Sequence, residues 1–139
     1  MDELDPRDRI SVIGRVVDSI NNLTFGDVRP YLHDDMIVAF PFALESFPTM
    51  QLDGADNFVS ALSAIFTKYR TFKLTVDRTY VCPPDVVILE AHSNNIRIDG
   101  VPYNNSYVMI FEFEGDKIRS WKEYYNPSNM ATAGSALLK

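Results

Sequence analysis

The feature that most constrains the fold is a change of hydrophobic period near Thr71. Before it, apolar residues recur every three to four positions, and after it they alternate with polar residues. The longer period indicates amphipathic helices, whereas alternation is typical of half-buried strands. Turn signals at Pro83-Pro84, Asp99-Gly100 and Gly115-Asp116 divide the alternating part. The sequence therefore predicts helices first and then a meander of antiparallel strands.

The part before Thr71 predicts two helices and one strand. Asp5-Pro6 offers an N-cap and a first-turn proline for a helix that Gly26 ends. A buried strand is predicted over Met36–Phe42, and a loop over Ala43–Leu52. A second helix begins near Asp53-Gly54. Its apolar stripe is predicted to contain Phe58, Leu62, Ile65, Phe66 and Tyr69.

Four strands are predicted in the alternating part. The first begins at Thr71, and the others span Val86–Asn94, Tyr103–Glu114 and Lys117–Tyr125. Helices that lead into a long antiparallel sheet indicate an α+β architecture, with the helices packed on the concave face of a curved sheet. Such a sheet encloses a cavity, and its mouth is the natural site for a small molecule.

Length and charge narrow the classes of partner. The 139 residues suit one compact domain spanning residues 1–139. A formal net charge of −6 argues against nucleic acid and anionic membranes as partners. Cys82 is the only cysteine, so it has no internal disulfide partner, and a reducing compartment is favoured. No apolar run approaches the roughly 18 residues of a membrane span. We therefore predict a cytoplasmic protein.

One carboxylate is set among the aromatic residues of the last predicted strand. Trp121, Glu123 and Tyr125 fall on one face of that strand by alternation. On the preceding strand, Phe111 and Phe113 mark the corresponding face as interior. A carboxyl group in such surroundings is desolvated, which raises its pKa and suits it to general acid or base catalysis near neutral pH.

The neighbours of Glu123 allow two interpretations. If the last two strands pair, Asn105 and Tyr107 lie across the ladder and offer polar groups to the same site. The alternative places Glu123 on a solvated face, paired with a basic neighbour such as Lys122 or Arg119.

The two histidines are weaker candidates. His92 shares a strand face with Glu90 and Asn94, opposite a face of apolar and small residues, so we predict that it lies on the exterior. His33 belongs to a His-Asp-Asp turn and is predicted to be solvated. Their spacing fits no metal site, and no nucleotide-binding signature is present. We predict neither a metal nor a cofactor.

The last third of the chain carries a recurring pattern. Between Gly100 and Pro127 it reads Pro-Tyr-x-Asn-x-Tyr, an aromatic strand, Gly-Asp-Lys-Ile and Trp-x-Glu-Tyr. This pattern resembles the SnoaL-like branch of the nuclear transport factor two-like superfamily, and the segments Asp34-Asp35 and Leu52–Phe58 fit the same family. The resemblance implies a cone-shaped α+β barrel, a homodimer and a hydrophobic pocket. The residues predicted to bind substrate there are Trp121, Tyr125, Met109, Phe40, Phe42 and Val17.

The resemblance leaves the reaction open, because members of this superfamily differ in chemistry. They include polyketide cyclases, ketosteroid isomerases, limonene epoxide hydrolases, the phenazine-biosynthesis proteins PhzA and PhzB, and non-catalytic domains. Phe40 and Met109 stand where ketosteroid isomerase has acidic residues. Ala91 and Ser93 align roughly with an Arg and an Asp of limonene epoxide hydrolase. Glu123 matches the acid/base glutamate of PhzA and PhzB, whose catalytic histidine has no counterpart here.

We predict a cofactor-independent enzyme that uses Glu123 for proton transfer on a hydrophobic, ring-containing small molecule, in an isomerisation, cyclisation or dehydration. Tyr107, Tyr125 or Asn105 would donate a hydrogen bond to the developing oxyanion. Two alternatives stay open: a non-catalytic module that binds a small molecule or a protein, and an epoxide hydrolase with a rebuilt site. A Glu123 that faces an aromatic cavity favours catalysis, whereas a solvated or ion-paired Glu123 favours binding or assembly.

Overall fold

The computed structural model describes residues 6–43 and 51–129. The described part contains the helices α1 (Pro6–Asn21) and α2 (Ala55–Phe66) and a 3₁₀ helix (Phe25–Tyr31). Its strands are β1 (Leu32–Ala39), β2 (Gln51–Asp53), β3 (Tyr69–Cys82), β4 (Val86–Arg97), β5 (Pro102–Glu114) and β6 (Lys117–Tyr125). None of the helices in these two ranges is long and apolar enough to cross a membrane. The predicted α+β architecture, with helices before the meander, is confirmed.

The strands form one sheet in the order β2-β1-β6-β5-β4-β3. Strands β3 to β6 make the predicted antiparallel meander. However, β1 runs parallel to β6, with Val38 beside Trp121, so the antiparallel meander belongs to a mixed sheet, and the sequence did not predict this parallel pair. A parallel pair needs a long connection, which the rest of the chain supplies here. Side chains alternate between the two faces of a strand in parallel and antiparallel pairs alike, so the sequence pattern did not indicate the parallel pairing of β1 with β6.

Several boundaries differ from the prediction. Strand β1 spans Leu32–Ala39 where Met36–Phe42 was predicted, β4 extends to Arg97, and two more boundaries differ at the ends of the helices. Helix α1 ends at Asn21, before Gly26, because Leu23 adopts a φ of 58°, a left-handed conformation that terminates helices. The Asn21 side chain then donates to the Leu74 carbonyl (3.1 Å) and accepts from the Leu74 N–H (2.6 Å), which ties the helix end to β3. Tyr69 begins β3 and does not continue the stripe of α2.

The beginning of α2 depends on a glycine. Gly54 precedes the helix with a φ of 90°, which side-chain-bearing residues rarely adopt. Its N–H donates to the Met36 carbonyl (2.8 Å), and its own carbonyl accepts from the Phe58 N–H (3.1 Å). Helix α2 is therefore attached to β1 at its first turn. The predicted loop over Ala43–Leu52 lies largely outside the described residues, and its last two residues begin β2.

The core lies between the helices and one face of the sheet. Trp121 is at its centre, and three phenylalanine rings meet it edge to face. Their centroids lie 4.7 Å (Phe111), 4.9 Å (Phe58) and 6.1 Å (Phe25) from that of Trp121. Such contacts add about 0.5–1.5 kcal/mol per pair beyond the burial of apolar area. Trp121 is only 1% exposed and is held in place by its neighbours.

Candidate active site

A cavity lies between the two helices and the buried face of the sheet. Its lining is Ile20, Phe40, Phe58, Leu62, Phe66, Phe72, Leu74, Tyr107, Met109, Trp121 and Glu123. Within the described residues, Glu123 is the only charged side chain of this lining. The free volume is about 60 Å³. Ligand pockets usually hold roughly 300 Å³ or more, so in this conformation the cavity suits only a small molecule.

Glu123 faces the cavity. It lies on β6 opposite Met109, and its side chain is partly buried. Burial raises the pKa of Glu123 to about 7, and the indole of Trp121 opposes that rise. Within the described residues neither Lys122 nor Arg119 forms an ion pair with Glu123, and Arg119 instead contacts the Asp35 carbonyl and lies 3.9 Å from Glu114. The carboxyl group is thus poised between its two protonation states at neutral pH.

The indole nitrogen of Trp121 is an unusual feature of the site. Nε1 is buried, and within the described residues no acceptor meets ordinary hydrogen-bond geometry with it. The N–H nevertheless interacts with the nearby carboxyl group of Glu123, since the indole lowers the pKa of that carboxyl group. The cavity therefore contains one donor without a normal partner next to one titratable acid.

Tyr107 joins the cavity to a buried polar network. Its hydroxyl lies 2.9 Å from Ser93 Oγ and donates a long, 3.5 Å hydrogen bond to the Tyr103 hydroxyl. Burial and the charge of Glu123 raise the pKa of the Tyr107 phenol. Burial, followed by the neighbouring Tyr107, also raises the pKa of the Tyr103 phenol. Both hydroxyls stay neutral at physiological pH, and Tyr107 can donate to a ligand by giving up its long hydrogen bond to Tyr103.

Asn105 has a different place from the one predicted. It lies outside the cavity lining, and its Nδ2 donates to the Tyr103 hydroxyl (2.8 Å) and to the Asn126 carbonyl (3.0 Å). Its Oδ1 accepts from the N–H groups of Asn126 (3.0 Å) and Ser106 (2.9 Å). Because its polar atoms are all engaged by the protein, Asn105 supports the site and cannot also serve a ligand in this conformation.

The structure places the predicted substrate-binding residues unevenly. Trp121, Met109 and Phe40 line the cavity as predicted. Tyr125 is buried behind them, with its ring 6.4 Å from that of Phe40, and borders the cavity without lining it. Burial and the charge of Glu123 raise the pKa of the Tyr125 phenol.

Two of the predicted substrate-binding residues, Phe42 and Val17, lie outside the cavity lining. Phe42 is 56% exposed and packs against Tyr124 at 5.2 Å, because β1 ends at Ala39 and alternation no longer directs later side chains inward. Val17 packs against the core, and Ile20 is the α1 residue that reaches the cavity. The prediction that Phe42 and Val17 line the pocket is therefore wrong.

The histidines lie outside the cavity. The prediction that His92 is on the exterior is confirmed, and its Nδ1 lies 2.8 Å from Asp77 Oδ2. His33 is not a free loop residue, because it belongs to β1 and its Nε2 lies 2.8 Å from Glu114 Oε2. Across residues 6–43 and 51–129, no group of three His, Cys, Asp or Glu side chains is arranged to hold a metal ion.

Sequence reasoning missed part of the lining. Ile20, Phe58, Leu62, Phe66, Phe72 and Leu74 face the cavity, and none of them is among the residues predicted to bind substrate. The pairing of Ser93 with Tyr107 was also missed. The signal was present, since both residues are on interior positions of neighbouring strands, but their contact depends on the register between β4 and β5.

A mixed six-stranded sheet with helices over one face and an acid-bearing cavity between them defines an NTF2-like protein. Residues 13–121 match the family described as SnoaL-like domain, and the chain belongs to that family. No curated protein is significantly similar to it in sequence.

Solved structures share the fold at low identity. One described as "Putative Isomerase" from Bacillus subtilis has a TM-score of 0.84 at 17% identity, over 95% of this chain and 96% of that chain. An NTF2-like protein from Burkholderia pseudomallei K96243 has a TM-score of 0.78 at 11% identity, over 90% and 95%. BvnE pinacolase from Penicillium brevicompactum has a TM-score of 0.78 at 15% identity, over 96% and 98%. These likenesses show the fold alone.

Proposed function

We propose that this protein is a cofactor-independent enzyme in which Glu123 moves a proton within a small, largely apolar substrate. The observation that carries the proposal is the position of a lone carboxyl group in an apolar, aromatic cavity. Burial there raises the pKa of Glu123 to about 7. Near neutral pH both protonation states are populated, so one group can accept a proton and return it.

The chemistry follows from two polar groups, Glu123 on β6 and Tyr107 on β5, that line the cavity from neighbouring strands. The ionised Glu123 removes a proton from a carbon beside a carbonyl group. The electron pair of the broken C–H bond forms a C=C bond, and the π pair of the C=O bond moves onto the carbonyl oxygen. Tyr107, which stays neutral, donates to that oxygen. The protonated Glu123 then returns the proton to another carbon, which completes an isomerisation, or to a departing hydroxyl group, which completes a dehydration.

The size of the cavity limits the substrate. A free volume of about 60 Å³ is smaller than the roughly 150 Å³ of a cavity that binds benzene, so a molecule of one ring fits only when side chains at the mouth move. Phe40, Leu62 and Phe72 are only partly buried, so they are the lining residues with space to reorient. The structural neighbour described as "Putative Isomerase" shares this fold, and isomerisation is one of the reactions that we propose for this cavity.

The test uses small cyclic ketones, because they report proton transfer without knowledge of the natural substrate. We expect the protein to accelerate hydrogen–deuterium exchange beside the carbonyl of cyclohexanone, and to convert the unconjugated cyclohexenone to its conjugated isomer. Glu123→Gln should reduce either rate by about 100-fold or more, because the amide cannot carry the proton. Glu112→Gln is the matched control, since Glu112 is an exposed glutamate of β5. Equal rates for Glu123→Gln and the unchanged protein would refute the proposal.

One observation favours a second candidate, a non-catalytic binding module. Among the described lining residues, Glu123 and Tyr107 are the only titratable groups, and the free volume is small. Such a module would bind cyclohexanone without exchanging its hydrogens. Epoxide hydrolysis has less support, because Ala91 and Ser93 lie at buried positions where that chemistry would need charged groups.

A further inference from the structure

We propose that the indole N–H of Trp121 is the hydrogen-bond donor that holds an oxygen atom of the ligand beside Glu123. The inference rests on the proposed function of the cavity and adds the ligand class to it. That class is a compact, largely apolar molecule with one carbonyl or hydroxyl oxygen.

The first argument is the unpaired donor itself. Trp121 is 1% exposed, and Nε1 is buried without a partner of ordinary geometry within the described residues. A buried donor without a well-formed hydrogen bond costs up to about 1–3 kcal/mol, and the interaction of this N–H with the Glu123 carboxyl group, outside ordinary geometry, offsets only part of that cost. Trp121 also lines the cavity, and an oxygen atom there would remove this cost.

The second argument is rigidity. The rings of Phe111, Phe58 and Phe25 surround the indole edge to face at 4.7, 4.9 and 6.1 Å. Trp121 also lies on β6, an inner strand of the sheet that pairs with both β1 and β5. The N–H is therefore fixed before a ligand arrives, and binding pays little for ordering it.

The third argument is competition for the same N–H. The indole stabilises the charged form of Glu123, as its lowering effect on that pKa shows. A ligand oxygen that takes the N–H withdraws this support, so ligand binding and protonation of Glu123 favour each other. The other titratable groups near Glu123 are the phenols of Tyr107, Tyr103 and Tyr125, whose pKa values are all raised. Helices α1 and α2 and strand β3 present only apolar side chains to the cavity.

The experiment exploits the single tryptophan of the chain. In ¹⁵N-labelled protein its indole gives one cross-peak, which we expect to titrate near neutral pH as Glu123 ionises. The titration should vanish in Glu123→Gln and persist in Glu112→Gln. An indole cross-peak whose position does not change with pH in the wild-type protein would contradict the inference that Glu123 and the ligand compete for the Trp121 N–H.

Two probes of nearly equal shape then test the ligand class. Cyclohexanone has a carbonyl oxygen where methylenecyclohexane has a CH₂ group. We expect cyclohexanone to move the indole proton downfield and to bind about fivefold more tightly than the hydrocarbon. Trp121→Phe should abolish that preference. A retained preference in this variant, or no response of the indole to cyclohexanone, would overturn the inference.

Should Trp121→Phe not fold, the indole proton of the wild-type protein decides: it should move downfield with cyclohexanone and not with methylenecyclohexane, a readout that a hydrogen bond from Tyr107 would not produce. The outcome is also separable from the proposed function. If cyclohexanone binds preferentially through Trp121 but its hydrogens do not exchange, the proposed enzymatic function is refuted and the proposed ligand site is retained. If hydrogen exchange depends on Glu123 but the indole does not respond to cyclohexanone, the role of Trp121 is refuted and the proposed enzymatic function is retained.

Discussion

At the scale of single residues, the environment that suits Glu123 to proton transfer also lowers the stability of the folded protein. A carboxyl group of ordinary pKa would be fully ionised at neutral pH and would be a poor proton donor. The apolar lining corrects this by raising the pKa of Glu123 from 4.5 to about 7. The same environment disfavours the ionised group in the folded protein, so the feature that enables proton transfer also weakens the fold at higher pH.

This linkage predicts a pH-dependent stability. Because the folded protein holds the Glu123 proton more tightly than the unfolded chain, the stabilisation is complete below the unfolded pKa and is lost as pH rises through about 7. Relative to Glu123→Gln, which cannot ionise, we expect the unchanged protein to lose about 2–3 kcal/mol of unfolding free energy between about pH 5 and pH 8. Urea denaturation at both pH values measures this difference. Parallel profiles for the two proteins would contradict it.

At the scale of elements, the site depends on how the ends of β5 and β6 are joined. Asn105 on β5 bonds to the backbone of Asn126, which follows β6, and to the hydroxyl of Tyr103. Tyr103 in turn accepts the hydrogen bond of Tyr107. The side chain of Asn105 thus sets the position of the Tyr107 donor indirectly, through neighbouring groups.

Removal of this junction should destabilise the protein. Asn105 is 4% exposed, and Asn105→Ala would leave the Asn126 N–H and carbonyl without their partners. We expect a loss of about 2 kcal/mol or more in unfolding free energy, read from chemical denaturation. The control is Asn94→Ala, because Asn94 is exposed on β4. A loss no larger than that of the control would show that the junction carries little energy.

At the scale of the whole molecule, the outer side of the sheet offers an apolar surface. A shallow groove there includes Phe42, Val108 and Tyr124, of which Phe42 is 56% and Val108 40% exposed. Exposed apolar surface of this kind often marks a protein interface. With the dimer that the family resemblance implies, this surface leads us to propose that two copies associate through the outer groove.

Sedimentation equilibrium at micromolar concentration tests the assembly. We expect a dimer, and we expect Val108→Glu to shift it to a monomer by burying a charge at the contact. Ile98→Glu is the control, because Ile98 is 60% exposed but lies beyond the end of β4 and outside the groove. A monomeric unchanged protein would contradict the proposal.

The sequence by itself determined which faces of β4, β5 and β6 are interior, and β6 has the predicted bounds Lys117–Tyr125. It also assigned Trp121 and Glu123 to one face and His92 to the exterior, because the alternation of side chains along a strand is local geometry. Only the tertiary structure decided that β1 lies parallel to β6, that Asn105 is engaged by the protein, and that the Trp121 N–H has no ordinary partner. These depend on which distant segments meet and in what register, and a local hydrophobic period is the same for every such arrangement.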